Sequence, residues 1–109
     1  MKNEDQNIAV AKFNGYKIES GKEHNCRYKI TDTGGGVCFC DYLEGYIPDY
    51  GKDLNAMNRV LSTMSNAQGI DLCWHLNDMG ISGDWELVNV SASNLREALL
   101  RKLNLWTEE

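Results

Sequence analysis

CRYKITDTGGGVCFCDY, residues 26–42, decides the fold class of this chain. Cys26, Tyr28 and Ile30 alternate with Arg27, Lys29 and Thr31, the two-residue period of a strand with one buried face. TDTGGG (31–36) is a turn able to take positive backbone angles, and VCFCDYL (37–43) reads as the return strand. The stretch therefore predicts a β-hairpin with a glycine tip. The same period sets Cys38 and Cys40 on one face together, and leaves open whether that face points into the core or toward a ligand.

Upstream, Ile8, Ala9, Ala11 and Phe13 form a loose apolar face, with acids early and Lys12 late as a helix dipole favours, so a first helix is expected over Asn3–Phe13. Asn14-Gly15 can close it, and YKIES (16–20) reads as a brief strand. Downstream, Pro48 disfavours helix at Ile47, and Asp49 is placed to cap the next element. From Asp53, Leu54, Met57, Leu61 and Met64 recur at helical spacing beside Val60. IDLCWHL (70–76) alternates Ile70, Leu72, Trp74 and Leu76 with Asp71, Cys73 and His75, which reads as a strand. NDMGISGD (77–84) then supplies a turn, and WELVNV (85–90) a second return strand with apolar character on both faces. SASNLREALLRKLNLW (91–106) begins with capping serines and presents Leu95, Leu99, Leu100, Leu103 and Trp106 as its apolar side, with Arg96, Arg101 and Lys102 polar. The expected fold is α+β: helix, β-hairpin, helix, β-hairpin, helix, packed as a small antiparallel-sheet sandwich in a single domain spanning residues 1–109.

With 109 residues, the chain is long enough to bury one core without compulsory metals or disulfides. Eleven basic against sixteen acidic residues give a net charge of −5, which disfavours direct binding to a phosphate backbone. MKNEDQNIAVAKF (1–13) lacks the basic and apolar regions of a secretory signal, and no apolar run is long enough to span a membrane. The expectation is a cytoplasmic protein whose thiols stay reduced.

The cysteines and histidines fall in pairs two apart: His24 with Cys26, Cys38 with Cys40, and Cys73 with His75. Soft ligands on neighbouring strands suit Zn²⁺, so His24, Cys26, Cys38 and Cys40, with Cys73 able to replace His24, form a candidate metal set. Against it, Cys-x-Cys on a flat strand cannot wrap a metal as a Cys-x₂₋₄-Cys knuckle does, and free cysteine is commonly a small buried apolar residue. A thiol nucleophile would need an imidazole within hydrogen-bond reach; Cys73 and His75 on one strand stand too far apart for that, which leaves Cys40 with His24 across the first hairpin as the candidate pair, without a third orienting group in view. GGG (34–36) lacks the helix and the Gly-Lys-Ser/Thr ending of a phosphate-binding loop. DYLEGYIPDYG (41–51) is the best candidate for a contact surface, because tyrosines near a turn offer rigid amphipathic area. Its candidate partner-binding residues are Tyr42, Glu44, Tyr46, Asp49 and Tyr50, with the Asp78–Asp84 turn as a second projecting loop.

IPDYGKDLNAM (47–57) followed by VSASNLREALLRKLNLW (90–106) resembles small phage and prophage proteins of the phage ABA-sandwich type. The likeness lies in a Pro-Asp-Tyr start to the middle helix, a Leu-Asn-Ala-Met core, and an Arg-x-x-x-Leu terminal helix ending near Leu-Trp. The chain departs from the pattern at Gly51, where a bulky residue is expected, and at Asn58-Arg59. The resemblance implies no catalytic residues. It implies a small acidic protein of phage or prophage origin that binds a bacterial host or phage protein, inhibition of a bacterial defence system being one concrete form. The reading is thus a non-enzymatic protein-binding module without a cofactor. A small zinc-binding accessory domain and a small thiol-dependent enzyme are the alternatives.

Overall fold

In the computed structural model, which describes residues 1–81 and 91–107, the chain is α+β, with four α-helices and a three-stranded antiparallel sheet among those residues. Helix α1 spans Asn3–Phe13, with Glu4 and Asp5 in its first turn and Lys12 in its last. Strand β1 (Lys17–Ser20) pairs with β2 (Tyr28–Thr31), which pairs with β3 (Val37–Cys40). The β2–β3 hairpin is the one that residues 26–42 predict. Its tip is tied by Asp32, whose Oδ1 accepts from the Gly34 and Gly36 N–H groups at 2.9 and 2.8 Å.

Helix α2 (Leu54–Leu61) buries Ala56, Met57 and Val60. Its cap is Asp53 rather than Asp49: Asp53 Oδ1 accepts from the Ala56 N–H at 3.0 Å. Asp49 instead folds the turn before the helix, its carbonyl accepting from the Lys52 and Asp53 N–H groups.

The first strand of the expected second hairpin is a helix instead. Residues 70–76 lie inside α3 (Asn66–Asp78), a helix opened by a capping box in which Ser65 Oγ accepts from the Gln68 N–H and Gln68 Oε1 from the Ser65 N–H. The alternation has a helical meaning as well. Two residues advance a helix by about 200°, so Leu72 and Leu76 share one face while Ile70 and Trp74 share the opposite one. The first pair is buried; the second is 60% and 65% exposed. Gly80, expected in a hairpin turn, ends the helix in the left-handed conformation at φ +85°, and the Ile81 N–H reaches back to the Leu76 carbonyl. The return strand at 85–90 lies outside the described residues. Among the described residues, one three-stranded meander stands where the two-hairpin sandwich was expected.

Helix α4 (Ala92–Lys102), capped by Ser91, is the hub of the fold, packing against α1, α2 and α3. Ala92, Leu95, Arg96, Ala98, Leu99 and Leu100 are all buried, so more than half of the helix's circumference is covered. Helix α1 lies against both α4 and β1, linking the sheet to the helices. None of the helices among the described residues is long and apolar enough to cross a membrane.

Candidate functional site

The sheet register settles which way the paired cysteines face. Ile30 stands opposite Cys38, and Tyr28 opposite Cys40, so these side chains share one face with Ile18. Ile30 and Cys40 are core residues, at 3% and 6% exposure, and Cys38 is half-buried. The face therefore points inward. Phe39 points the other way, and the His24 ring packs on it with centroids 4.0 Å apart. His24 thus sits across the sheet from Cys38 and Cys40, while Cys26 turns its thiol toward the His24 carbonyl. Exposed Cys73 is on α3. Among the described residues no group of three His, Cys, Asp or Glu side chains is placed to hold a metal ion.

Burial pushes the Cys40 thiol above its ordinary pKa, and neighbouring Cys38 adds to the rise. Because the thiolate is the nucleophile, alkylation of the native protein at mildly alkaline pH is expected to label Cys73 first and Cys40 at least about tenfold more slowly. Mass spectrometry of time points checks this, with denaturant equalising the two sites. Equal rates in the native protein would mean that the cysteine face is open.

The predicted contact residues fare differently. Tyr42 and Tyr46 are 63% and 39% exposed and pack against one another, ring centroids 5.9 Å apart and tilted by 57°. Glu44 is exposed between them and Asp49 is partly so. Tyr50 is wholly buried, at 0% exposure, and is no part of any surface. The backbone turns at Gly45, and the Tyr46 and Ile47 N–H groups both donate to the Leu43 carbonyl, so the two tyrosines stand on a closed loop rather than a trailing one.

Beside Tyr42 a polar cleft of about 460 Å³ opens between the start of α1 and the 41–52 connection. Asn3, Glu4 and Asn7 line it from the helix, Asp41, Glu44, Asp49 and Lys52 from the connection, and Arg27 from the bend that leads into β2. Most of its groups are held by hydrogen bonds or ion pairs. Asp41 Oδ1 accepts from the Arg27 N–H at 3.0 Å, and Glu4 pairs with the Arg27 guanidinium at 3.5 Å and accepts from the Tyr28 hydroxyl. Asp49 Oδ1 accepts from Asn7 Nδ2 at 3.1 Å and from the Gly51 N–H at 3.2 Å.

Below this floor lies a residue that periodicity assigns to the polar side of the last helix. Arg96 is 6% exposed. Its Nη1 donates to Asn3 Oδ1 at 2.7 Å and to Asn7 Oδ1 at 2.8 Å, with Asp49 Oδ1 3.8 Å away. Asn7 Oδ1 also accepts from the Tyr50 N–H. One guanidinium thus joins α4, α1 and the turn before α2. Burial lowers the Arg96 pKa from its ordinary value while Asp49 opposes the shift, and a guanidinium stays charged regardless. Gly51 is the space that lets it in: a Cβ there would lie 2.5 Å from Arg96 Nη1 and 2.6 Å from Cζ. This is the role of the glycine that the family resemblance marks as a departure. A signal for Arg96 was available, since it lies four residues from both Ala92 and Leu100 and shares their buried face.

No family model, curated protein or solved structure matches the chain.

Proposed function

We propose that this chain is a non-enzymatic protein-binding module, and that its contact surface is the Tyr42–Tyr46 pair with the rim of the neighbouring polar cleft. The observation that carries the reading is the pair itself: two large rings held against each other in solvent on a hydrogen-bonded loop. Such rings offer contact area at low entropic cost, because their arrangement is set before a partner arrives. The cleft beside them supports a protein partner over a phosphate ligand, since Glu4, Asp41, Glu44 and Asp49 outnumber Arg27 and Lys52. Glu4, Asp41 and Asp49 are spent on holding elements together, as Asp41 does for the entry to β2 and Asp49 for α1, which favours recognition over proton transfer. In the phage setting that the sequence resemblance implies, the partner is a bacterial host or phage protein, and blocking a defence system is the specific form of the activity.

The test is capture of a partner from bacterial lysate by the tagged chain, followed by measured affinity for Tyr42→Ala and Tyr46→Ala. Each substitution is expected to weaken binding by roughly 10- to 30-fold, the range of a buried aromatic anchor. Recovery of no partner, or affinities that ignore both substitutions, sinks the proposal.

A further inference from the structure

We propose that β1 is a self-pairing edge, along which two copies of this chain join their sheets as antiparallel strands about a two-fold axis at Ile18. The hydrogen-bond pattern establishes which groups β1 leaves outside. The Gly21 N–H donates to the Arg27 carbonyl, and the Asp32 N–H to the Gly36 carbonyl. Ladder bonds alternate along a strand, so Arg27, Lys29 and Thr31 turn their main chain toward β1, while Tyr28 and Ile30 turn theirs toward β3. Lys17 and Glu19 therefore bond to β2, and Ile18 and Ser20 present their N–H and C=O groups at the free edge. Among the described residues nothing bonds to those groups. Lys17, Glu19 and Ser20 are exposed and Ile18 is half-buried, so the edge stands in solvent. A row of unpaired main-chain donors and acceptors at alternate residues is the complement of another extended strand.

Charge complementarity commits the occupant to a second copy. Two β1 strands pair only with outward-facing residues opposite one another. With Ile18 opposite Ile18 of the second copy, Lys17 stands opposite Glu19 of the second copy, and Glu19 opposite Lys17 of the second copy. Both are non-hydrogen-bonded positions, where Cα atoms come within about 4.5 Å and side chains are closest. The next register in one direction sets Lys17 against Lys17 of the second copy, and in the other Glu19 against Glu19 of the second copy. Each is a like-charge contact at the same close position. Charge thus selects one register, and its pairs are reciprocal, as a two-fold contact demands. Glu19 already faces Lys29 within its own sheet, so in the pair it lies between two lysines, one from each copy. A chain carrying −5 repels its like in most orientations, and along this edge opposite signs meet instead. The other edge, β3, has no charged residue between Val37 and Cys40 to set a register. Pairing through β1 goes beyond the tyrosine surface, which follows β3 at the far side of the sheet.

Sedimentation equilibrium of the full chain over a micromolar to submillimolar range tests the pairing. The expected result is a reversible dimer that Glu19→Lys and Lys17→Glu each weaken by at least about fivefold, because each sets like charges opposite one another twice. The exchanged variant, Lys17→Glu with Glu19→Lys, restores opposite signs across the axis and is expected to recover most of that loss, which a role for either residue in the single chain would not produce. Amide exchange followed by NMR gives a second readout: the Ile18 N–H gains protection as the concentration rises, whereas the Glu19 N–H, bonded to β2, is protected throughout. Circular dichroism on all three variants verifies the fold. A chain that stays monomeric overturns the proposal, whatever else the edge then binds. So does a dimer that the single variants leave intact, an exchanged variant no tighter than they are, or a dimer in which Ile18 gains no protection.

Discussion

Replacing Tyr50 by alanine is expected to cost about 3–5 kcal/mol of stability, the range for deleting a fully buried aromatic side chain. Tyr50 has no exposed surface and belongs to the core cluster with Val10, Met57 and Leu99. Burial pushes its phenol above the ordinary pKa, with Asn14 acting against the rise. Truncation opens a cavity between α1 and the base of α2, and neighbours pinned by the Asn7 and Asp49 hydrogen bonds have little freedom to collapse into it. Tyr42→Ala, eight positions earlier and 63% exposed, is expected to stay within about 0.5 kcal/mol of the parent. Urea unfolding of both variants, compared at equal slope, separates them. Midpoints that coincide would show that Tyr50 carries no core role. The contrast also divides the predicted contact set, since loss of binding in Tyr50→Ala would report unfolding and loss in Tyr42→Ala would report the surface.

The second large effect concerns Arg96. Arg96→Ala is expected to destabilise by about 2–4 kcal/mol, combining lost packing of the buried stem with the loss of two hydrogen bonds from a charged donor. The ion pair itself contributes little, because the Asp49 side chain is 41% exposed and 3.8 Å away. Gly51→Ala is expected to cost about 1–3 kcal/mol by pressing a methyl group into the guanidinium, which two asparagines prevent from swinging aside. The double variant is the decisive measurement. With Arg96 gone the methyl group has nothing to strike, so Gly51→Ala added to Arg96→Ala should cost almost nothing. A coupling of about 1–2 kcal/mol is expected from the cycle. Strict additivity would falsify the claim that Gly51 exists to admit Arg96.

Much of the local structure was legible in residue order. The Cys26–Tyr42 hairpin comes from strict alternation around a run of glycines, and α1 and α4 from capping residues and charge placement. The α3 error is equally instructive. Over seven residues an alternating apolar pattern contains two four-residue spacings, and so fits a strand or a helix with two opposed apolar faces. The Ser65-x-x-Gln68 box upstream favoured the helix, and a reading that weighed the cap above the alternation would have found it. Of the candidate site, Tyr42, Glu44 and Tyr46 were readable because a turn exposes its side chains almost by construction. Asp49 was named both as a contact residue and as a cap; it does not cap α2, and its carboxylate belongs to the network over Arg96.

The sequence by itself determined that this is an α+β chain with a glycine-tipped hairpin, that Cys38 and Cys40 share a face, and that a tyrosine-rich connection precedes α2. These are consequences of covalent geometry and of interactions spanning a few residues. Only the tertiary structure decided that the cysteine face points into the core, that Tyr50 is interior while Tyr42 is not, and that Leu72 rather than Trp74 is buried. It also made Arg96 a buried strut. Each of these depends on which element covers which face, and a face is covered by residues as far away as the 93 positions between Asn3 and Arg96. Periodicity reports that a side chain has a direction; only packing supplies what stands in it.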